Sequence, residues 1–235
     1  MTSTLEPTFD PLQEPSLAPN DRPARSWLSL LVVGALALLA GALAGYALRG
    51  AGTPDSASVD VGFARDMSLH HEQAVQMASI IYDRSTDPAI RSLAYDILTT
   101  QQGQIGIMSG WLDAWGVPWT SAGPRMAWMG MPTEGLMPGM ATADQMAALR
   151  AAQGTAADIL FLQLMIPHHQ GGVAMAADAA GRATQEPVRL LAQSMVEAQS
   201  LEIDYMNELL QTKGAAPLPA LPAPAEGDSH NHSMP

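Results

Sequence analysis

The chain has 235 residues, a formal net charge of −12 and no cysteine. That length allows one good-sized domain with accessory segments, and the lack of cysteine excludes disulfides and thiolate metal sites. The acidic balance argues against nucleic acid as a partner, because a phosphate backbone is bound through patches of Lys and Arg. Methionine is the unusually frequent residue, with 15 copies against three Phe and four Tyr.

The first fifty residues predict a membrane anchor. Residues 1–26 are rich in Pro, Ser, Thr and acidic residues, which is typical of a disordered tail. Residues 27–48 carry no charge, and 22 residues at about 1.5 Å per residue span a hydrocarbon core. Arg22 and Arg25 precede this segment and favour a cytoplasmic N-terminus. We therefore expect a single-pass protein of the cell membrane, with a linker at 49–58 and an extracytoplasmic domain after it.

Small residues within this apolar segment leave two questions open. Ala42 and Ala44 have the spacing of a signal-peptidase site, so a cleaved signal peptide is the alternative to an anchor. The apolar run is longer than a usual signal core and continues past that site, which favours the anchor. Gly41 and Gly45 have the spacing of a helix-pairing motif, so a homodimer is a further expectation.

Residues 59–213 show a helical pattern, with apolar residues recurring at intervals of three and four. Asp87 is a typical N-cap because Pro follows it, and its helix is predicted to end at Trp115, before a glycine. A second long helix is predicted from Glu186 to Lys213, again with Pro at its start and Gly at its end.

An internal repeat with an offset of 98 residues relates the two parts of this helical region. Residues 67–78 read MSLHHEQAVQMA and residues 165–176 read MIPHHQGGVAMA. The repeat extends into the following helices, since Gln101, Ile105 and Met108 match Gln199, Ile203 and Met206. Each copy is therefore a helix with a His-His pair, a short turn and a second long helix. Two such hairpins predict an all-α fold, a four-helix bundle.

The segment between the two copies, residues 119–141, is predicted to be a methionine-rich loop because Gly and Pro recur in it. Thr142 and Gln145 have the spacing of a capping box, which predicts that a helix restarts there. Residues 214–235 are rich in Pro and Ala, contain His230 and His232, and predict a second disordered tail.

Both histidine pairs are predicted to point into the bundle. At about 100° per residue, each pair lies on the apolar arc of its helix, whereas Glu72, Gln73 and Gln76 lie outside it. If the hairpins pack about a pseudo-two-fold axis, the two pairs converge. The arc contains Phe63, Met67, His70, His71, Ala74, Met77, Ala78 and Ile81 in the first copy, and Phe161, Met165, His168, His169, Gly172, Met175, Ala176 and Ala179 in the second.

Buried imidazoles need partners, because an unsatisfied polar group costs about 1–3 kcal/mol. One reason to bury four of them is metal binding: neutral imidazole binds Cu, Zn, Fe and Ni, and thioethers select Cu(I). The small residues one turn after each pair leave room for an ion, and Pro167 removes a helical N–H beside the second pair. The alternative is a set of core histidines held by hydrogen bonds.

The methionines of the loop and the histidines of the C-terminal tail could also bind metal, although the loop methionines have an alternative role in packing. Met126, Met129, Met131, Met137 and Met140 in the loop suit a soft ion such as Cu(I) or Ag(I), or they fold over the end of the bundle. The two tail histidines offer a weaker site for Cu(II) or Zn(II).

These motifs resemble those of a known family, domain of unknown function 305. Similar to its pattern are Phe63-x-x-x-Met67-x-x-His70-His71, Phe161-x-x-x-Met165-Ile166-Pro167-His168-His169-Gln170-Gly171 and Met108-x-x-Trp111-Leu112-x-x-Trp115-Gly116, over residues 59–212. The resemblance implies a ferritin-like four-helix bundle in an exported protein, and a role in copper binding or tolerance for the four histidines. One position departs from the pattern: Gln104 precedes Ile105, whereas Glu202 precedes Ile203 in the second copy.

The sequence thus predicts a membrane-anchored copper-binding protein, for sequestration, tolerance or delivery of Cu(I), rather than an enzyme. A ferritin-like metal oxidase is the first alternative, although the Glu-x-x-His pairs of di-iron bundles are missing. A structural adaptor of the envelope is the second. The predicted ligands are His70, His71, His168 and His169, with Met67, Met77, Met165 and Met175 as auxiliary ligands.

Overall fold

The computed structural model describes residue 38 and residues 52–217, and these residues form five α-helices and no strand. No helix among them is long and apolar enough to cross a membrane. The predicted anchor at 27–48, apart from Leu38, and the tail histidines His230 and His232 lie outside the described residues. The helices are α1 (Val59–Arg84), α2 (Pro88–Trp115), α3 (Ala143–Ala151), α4 (Gly154–Arg182) and α5 (Glu186–Thr212).

The predicted helix ends are confirmed. The Asp87 carboxylate accepts a hydrogen bond from the Ala89 N–H at 2.9 Å at the start of α2, and Gly116 ends that helix in the left-handed conformation with φ of 68°. Thr142 and Gln145 form both bonds of the capping box at the start of α3.

One break was not predicted. The helix that Thr142 starts ends at Ala151, and α4 begins only at Gly154, whose φ is 54°. The Arg84 guanidinium in the last turn of α1 donates to the backbone carbonyls of Arg150 and Ala152. This contact satisfies acceptors at the C-terminus of α3 and ties the short helix to the first hairpin.

The four long helices form two hairpins, α1 with α2 and α4 with α5, and the hairpins meet through α1 and α4. Buried side chains form two clusters on either side of the histidine pairs. The first, here called the methionine cluster, contains Val61, Phe63, Ala64, Met67, Met108, Leu112, Met126, Trp128, Met137, Met175, Ala176, Ala179, Ala183, Val188, Ala192 and Met195. The second, called the aliphatic cluster, includes Met77, Ile81, Ile90, Leu93, Ile97, Met146, Leu149, Phe161, Leu162, Leu164, Met165, Ile166, Met206, Leu209 and Leu210.

The two clusters show how the repeat is arranged in space. Phe63 lies in the methionine cluster and its counterpart Phe161 in the aliphatic cluster, and Met108 and Met206 are divided in the same way. The two members of each of these pairs therefore lie on opposite sides of the histidines. This arrangement requires α1 and α4 to run antiparallel and cross at the histidines, as a pseudo-two-fold axis predicts.

Candidate metal centre

The four histidines lie at the middle of the domain, and the structure confirms that they point inward. His70, His71 and His169 have no exposed surface, and His168 is 1% exposed. The rings of His70 and His168, one from each hairpin, stack with their centroids 3.9 Å apart and their planes at 32°. The crossing of α1 and α4 therefore brings the inner histidine of each pair into contact. The other residues of both predicted arcs are also buried.

The outer histidine of each pair hydrogen bonds to the second helix of its own hairpin. His71 Nε2 lies 2.7 Å from Gln104 Oε1, and His169 Nε2 lies 2.7 Å from Glu202 Oε2. Both partners are 33 residues beyond their histidine. Because an amide oxygen and a carboxylate oxygen only accept, each Nε2 carries the proton and donates it.

The inner histidines donate to backbone carbonyls. His168 Nε2 is 3.0 Å from the His70 carbonyl oxygen, and His70 Nε2 is 3.0 Å from the carbonyl oxygen of Pro138 in the methionine-rich loop. The loop backbone can approach α4 this closely because glycines stand at the contact, Gly139 in the loop and Gly171 in α4. A Cβ on Gly139 or on Gly171 would lie 2.0 Å from the carbonyl oxygen of Pro167 or Pro138, respectively. The loop backbone is thus part of the centre.

These bonds fix the tautomer of all four rings. A neutral imidazole has one N–H and one lone pair, so a proton on Nε2 leaves the lone pair on Nδ1. None of the four Nδ1 atoms has a hydrogen-bond partner in the described part of the chain, although all are buried. The amide oxygens of Gln101 and Gln199, also 98 residues apart, are buried without a partner as well. Among the described residues, four ring nitrogens and two amide oxygens are thus buried without a partner, in pairs related by the repeat.

Burial keeps three of the four histidines, His70, His71 and His168, neutral. Burial, together with a smaller effect of the neighbouring imidazoles, lowers the pKa of His70 from its ordinary 6.5 to about 4 and that of His71 to about 3. The pKa of His168 is also well below its ordinary value, again chiefly through burial. At neutral pH these rings offer lone pairs rather than positive charge.

This donor set fits a transition metal in part. Histidine ligands usually donate their second ring N–H to a carboxylate or a backbone carbonyl, and three of the four Nε2 atoms are engaged in this manner. His71 is the exception, because its acceptor is the side-chain amide of Gln104. Moreover, in the range 52–217 no three His, Asp or Glu side chains are placed together as a group that could hold a metal ion. The histidines therefore do not form one preassembled cluster, and each ligand set needs donors of another type.

The predicted auxiliary methionines are placed on both sides of the histidines. Met67 and Met175 lie in the methionine cluster, and Met77 and Met165 lie in the aliphatic cluster. All four are fully buried. The structure therefore divides them between the two clusters, with one methionine from each hairpin in each cluster, rather than collecting them as one group of four.

Two of the five loop methionines are core residues. Met126 and Met137 are 1% and 2% exposed, whereas Met131 is 46% exposed. Met126 has φ of 62°, a strained conformation for a residue other than glycine, and its N–H donates to Asp66 Oδ2 at 2.8 Å. Trp128 Nε1 donates to the same oxygen at 2.9 Å. Met126 and Met137 therefore belong to the packed core at this end of the domain.

Three features of the centre were not predicted as site features. The Gln104 and Glu202 positions and the Gln101 and Gln199 positions could have been found, because each repeats at the 98-residue offset among inward-facing residues. The Pro138 carbonyl carries no sequence signal, because every residue has a carbonyl group.

The fold and the centre together define a class: all-helical proteins built from a duplicated hairpin that buries two His-His pairs where its copies cross. The family model for DUF305, a domain of unknown function, matches residues 60–210, and the chain belongs to this family.

Known structures of this family are similar to the chain. A DUF305 protein from Streptomyces coelicolor, described as a candidate secreted protein, is 48% identical, covers 70% of this chain and 99% of its own, and superimposes with a TM-score of 0.68. A DUF305 fragment from Deinococcus radiodurans is 33% identical, with 66% and 96% coverage and a TM-score of 0.55. CopM in its Cu(I)-bound form is 27% identical, with 65% and 96% coverage and a TM-score of 0.50.

Among curated proteins, an uncharacterized protein of Acanthamoeba polyphaga mimivirus is 39% identical over 54 residues, which are 23% of this chain. The chain spans only 36% of the length of that protein.

Proposed function

We propose that this protein binds copper as Cu(I) and serves its sequestration, tolerance or delivery outside the cytoplasm. The proposed ligands are the Nδ1 atoms of His70, His71, His168 and His169, with the thioethers of Met67, Met77, Met165 and Met175. The ion is the cargo of the protein in this proposal, and no reaction is assigned to it.

The observation that carries the proposal is the set of four buried imidazoles whose Nε2 atoms are all engaged in hydrogen bonds and whose Nδ1 atoms all lack a hydrogen-bond partner in the described chain. Two buried Met pairs flank these imidazoles, and thioethers favour Cu(I) over the harder divalent ions. The similarity to CopM, of which a Cu(I)-bound structure is known, supports the same metal.

The geometry favours small mixed ligand sets. Because no three imidazole or carboxylate groups in the described chain form a ready group, we propose that one or two imidazoles and a thioether hold each ion. Met67 and Met175 serve one side of the histidines, and Met77 and Met165 serve the other.

The location of the protein is a further part of the proposal. Residues 27–48 anchor it in the membrane, and the helical domain lies outside the cytoplasm. Fractionation of the full-length chain tests this part: protein found only in a soluble exported pool would favour cleavage after Ala44 instead.

Metal binding is tested with the full-length chain purified without a histidine tag. After exposure to mixed metals, elemental analysis should find copper, and a variant with all four histidines changed to Gln should lose it. The matched control changes His230 and His232 to Gln and should retain the tightly bound metal. Tight copper binding by the quadruple variant would place the ligands elsewhere.

The enzymatic alternative predicts a different result. Metal oxidases of di-iron bundles use several carboxylate ligands, and among the described residues Glu202 is the one carboxylate that hydrogen bonds to the four histidines. Aerobic turnover of Cu(I) or Fe(II) by the wild type would favour the oxidase over a binding protein.

A further inference from the structure

The two halves of the centre have the same geometry but different charge. His71 and His169 each donate from Nε2 over 2.7 Å to a side chain 33 residues further on. In the first half the acceptor is the neutral amide of Gln104, and in the second half it is the carboxylate of Glu202. The two copies of the repeat thus have the same Nε2–oxygen distance, but the acceptor is an amide in one copy and a carboxylate in the other.

A carboxylate and an amide act differently on a ligand histidine. A carboxylate that accepts the Nε2–H draws the proton toward itself and increases the electron density on Nδ1, so the ring becomes a stronger donor to a metal. Its negative charge also attracts the cation through a medium of low effective dielectric constant. A neutral amide orients the ring equally well but contributes neither effect.

Nothing in the described chain cancels the charge of Glu202. The one basic side chain within salt-bridge distance of its carboxylate there is His169 itself, and no Lys or Arg lies that close. Its side chain is 25% exposed and Gln104 is also partly exposed. Exchanging Glu and Gln at these positions changes the charge while keeping the shape, so the core does not have to repack.

We propose that Glu202 makes two half-sites unequal: the ligand set that contains His169 Nδ1 (the His169 half-site) binds Cu(I) more tightly than the ligand set that contains His71 Nδ1 (the His71 half-site). Glu202 is a positioning residue, since it acts through His169 rather than on the metal. The inference rests on the proposed function and adds the order of binding and release. Copper binds first at the His169 half-site, and it is released first from the His71 half-site. Such an arrangement gives one retained ion and one ion that is readily transferred.

The experiment is a competition titration of the full-length chain against a Cu(I) chelator under anaerobic conditions. The wild type should release copper in two separate steps. In Glu202→Gln the tighter step should weaken by about 10-fold to 100-fold, the usual effect of losing such a partner, and approach the weaker step. In Gln104→Glu the weaker step should strengthen by a similar factor.

The double exchange, Gln104→Glu with Glu202→Gln, is the matched control, because it keeps the composition and the net charge. It should restore two steps with their order reversed, which His71→Gln or His169→Gln in the same background identifies. The unfolding midpoint of each metal-free variant should stay near that of the wild type, which separates an effect on the metal from an effect on the fold.

The results that overturn the inference are distinct from those that overturn the proposed function. A wild type that binds no copper removes the proposed function. A wild type that binds copper with a single affinity, or a Glu202→Gln variant whose two steps are unchanged, overturns the unequal half-sites while leaving copper binding intact.

Discussion

The methionine cluster and the aliphatic cluster pack against the same histidines from opposite sides, but they are built from different side chains. The methionine cluster has six Met and one Leu among its buried residues, and no Ile. The aliphatic cluster has four Met and ten Leu or Ile. Unbranched thioether side chains adapt to irregular space, whereas Leu and Ile hold defined rotamers. The repeat therefore builds one adaptable end and one rigid end.

Acid should cause the largest loss of folding stability, because it acts on the histidines that both clusters contact. Between about pH 6.5 and pH 4 the unfolded chain protonates His70 and His71, while the folded chain, with its lowered pKa values, does not. The free energy of unfolding is therefore complete above pH 6.5 and falls as the pH decreases, by about 1.4 kcal/mol per pH unit for each such histidine. Urea unfolding of the metal-free protein from pH 7.5 to pH 4.5 measures this slope.

The control for the acid effect is His71→Gln, which removes one titrating ring while keeping a polar side chain. The slope of unfolding free energy against pH should decrease by about one proton equivalent. An unchanged slope would mean that other groups cause the loss of stability in acid.

The matched phenylalanines compare the clusters directly. Phe161→Ala in the aliphatic cluster should destabilise the protein by about 3–5 kcal/mol, because branched neighbours collapse poorly into a cavity. Phe63→Ala in the methionine cluster should cost about 1 kcal/mol less, since methionines fill part of the space. Denaturant unfolding measures both, and equal losses would show that the clusters do not differ in adaptability.

Asp66 distinguishes the two ends in another way, because its counterpart 98 residues later is Leu164. Burial raises the pKa of Asp66, and its carboxylate accepts from the Met126 N–H and from Trp128 Nε1. Asp66→Leu would leave two buried donors without a partner, at about 1–3 kcal/mol each.

Asp66→Asn is the control for this change, because the amide oxygen still accepts. The Leu variant should speed hydrogen exchange at the Met126 amide and reduce the near-ultraviolet dichroism of Trp128, and the Asn variant should do so far less. Slow exchange in the Leu variant would show that the loop is held by packing alone.

The smallest effect on stability is expected from exchanging thioethers for hydrocarbon. Met126→Leu with Met137→Leu in the methionine cluster, and Met146→Leu with Met206→Leu in the aliphatic cluster, keep the buried volume and should each cost less than about 1.5 kcal/mol per site. If the loop adds capacity, the first pair loses weaker Cu(I) equivalents in a copper titration and the second does not. Equal stoichiometry in both would leave the loop methionines with a packing role only.

The sequence predicted the helices well where local chemistry decides them. Asp87, Gly116 and the Thr142–Gln145 box act on their own turns, so their effects are readable from a few residues. The inward direction of the histidines follows equally from the helical period. The end of α3 at Ala151 was not predictable, because Arg84, far away in the chain, satisfies its last carbonyls.

The interior of the centre was predicted only in outline. Periodicity places His70 and His168 on inner faces, but it does not say which ring nitrogen is engaged, since the acceptors include the Pro138 backbone. Nor does it show how many donors come together, because that depends on the crossing of α1 and α4. The repeat predicted symmetry, and Asp66, Gln104 and the loop are the places where the symmetry fails.

The hydrogen bonds of the inner histidines, His70 and His168, join residues far apart in the sequence, so the centre forms late in folding. His70 and Pro138 are separated by 68 residues and His70 and His168 by 98. Contacts of such separation form late, because the entropy of closing a long loop opposes them until the rest of the structure compensates. The first hairpin alone contains neither partner, so a growing chain has no completed centre until its second hairpin has docked. Under the proposed function, an ion captured by the assembled centre stabilises only the molecules in which both hairpins have docked.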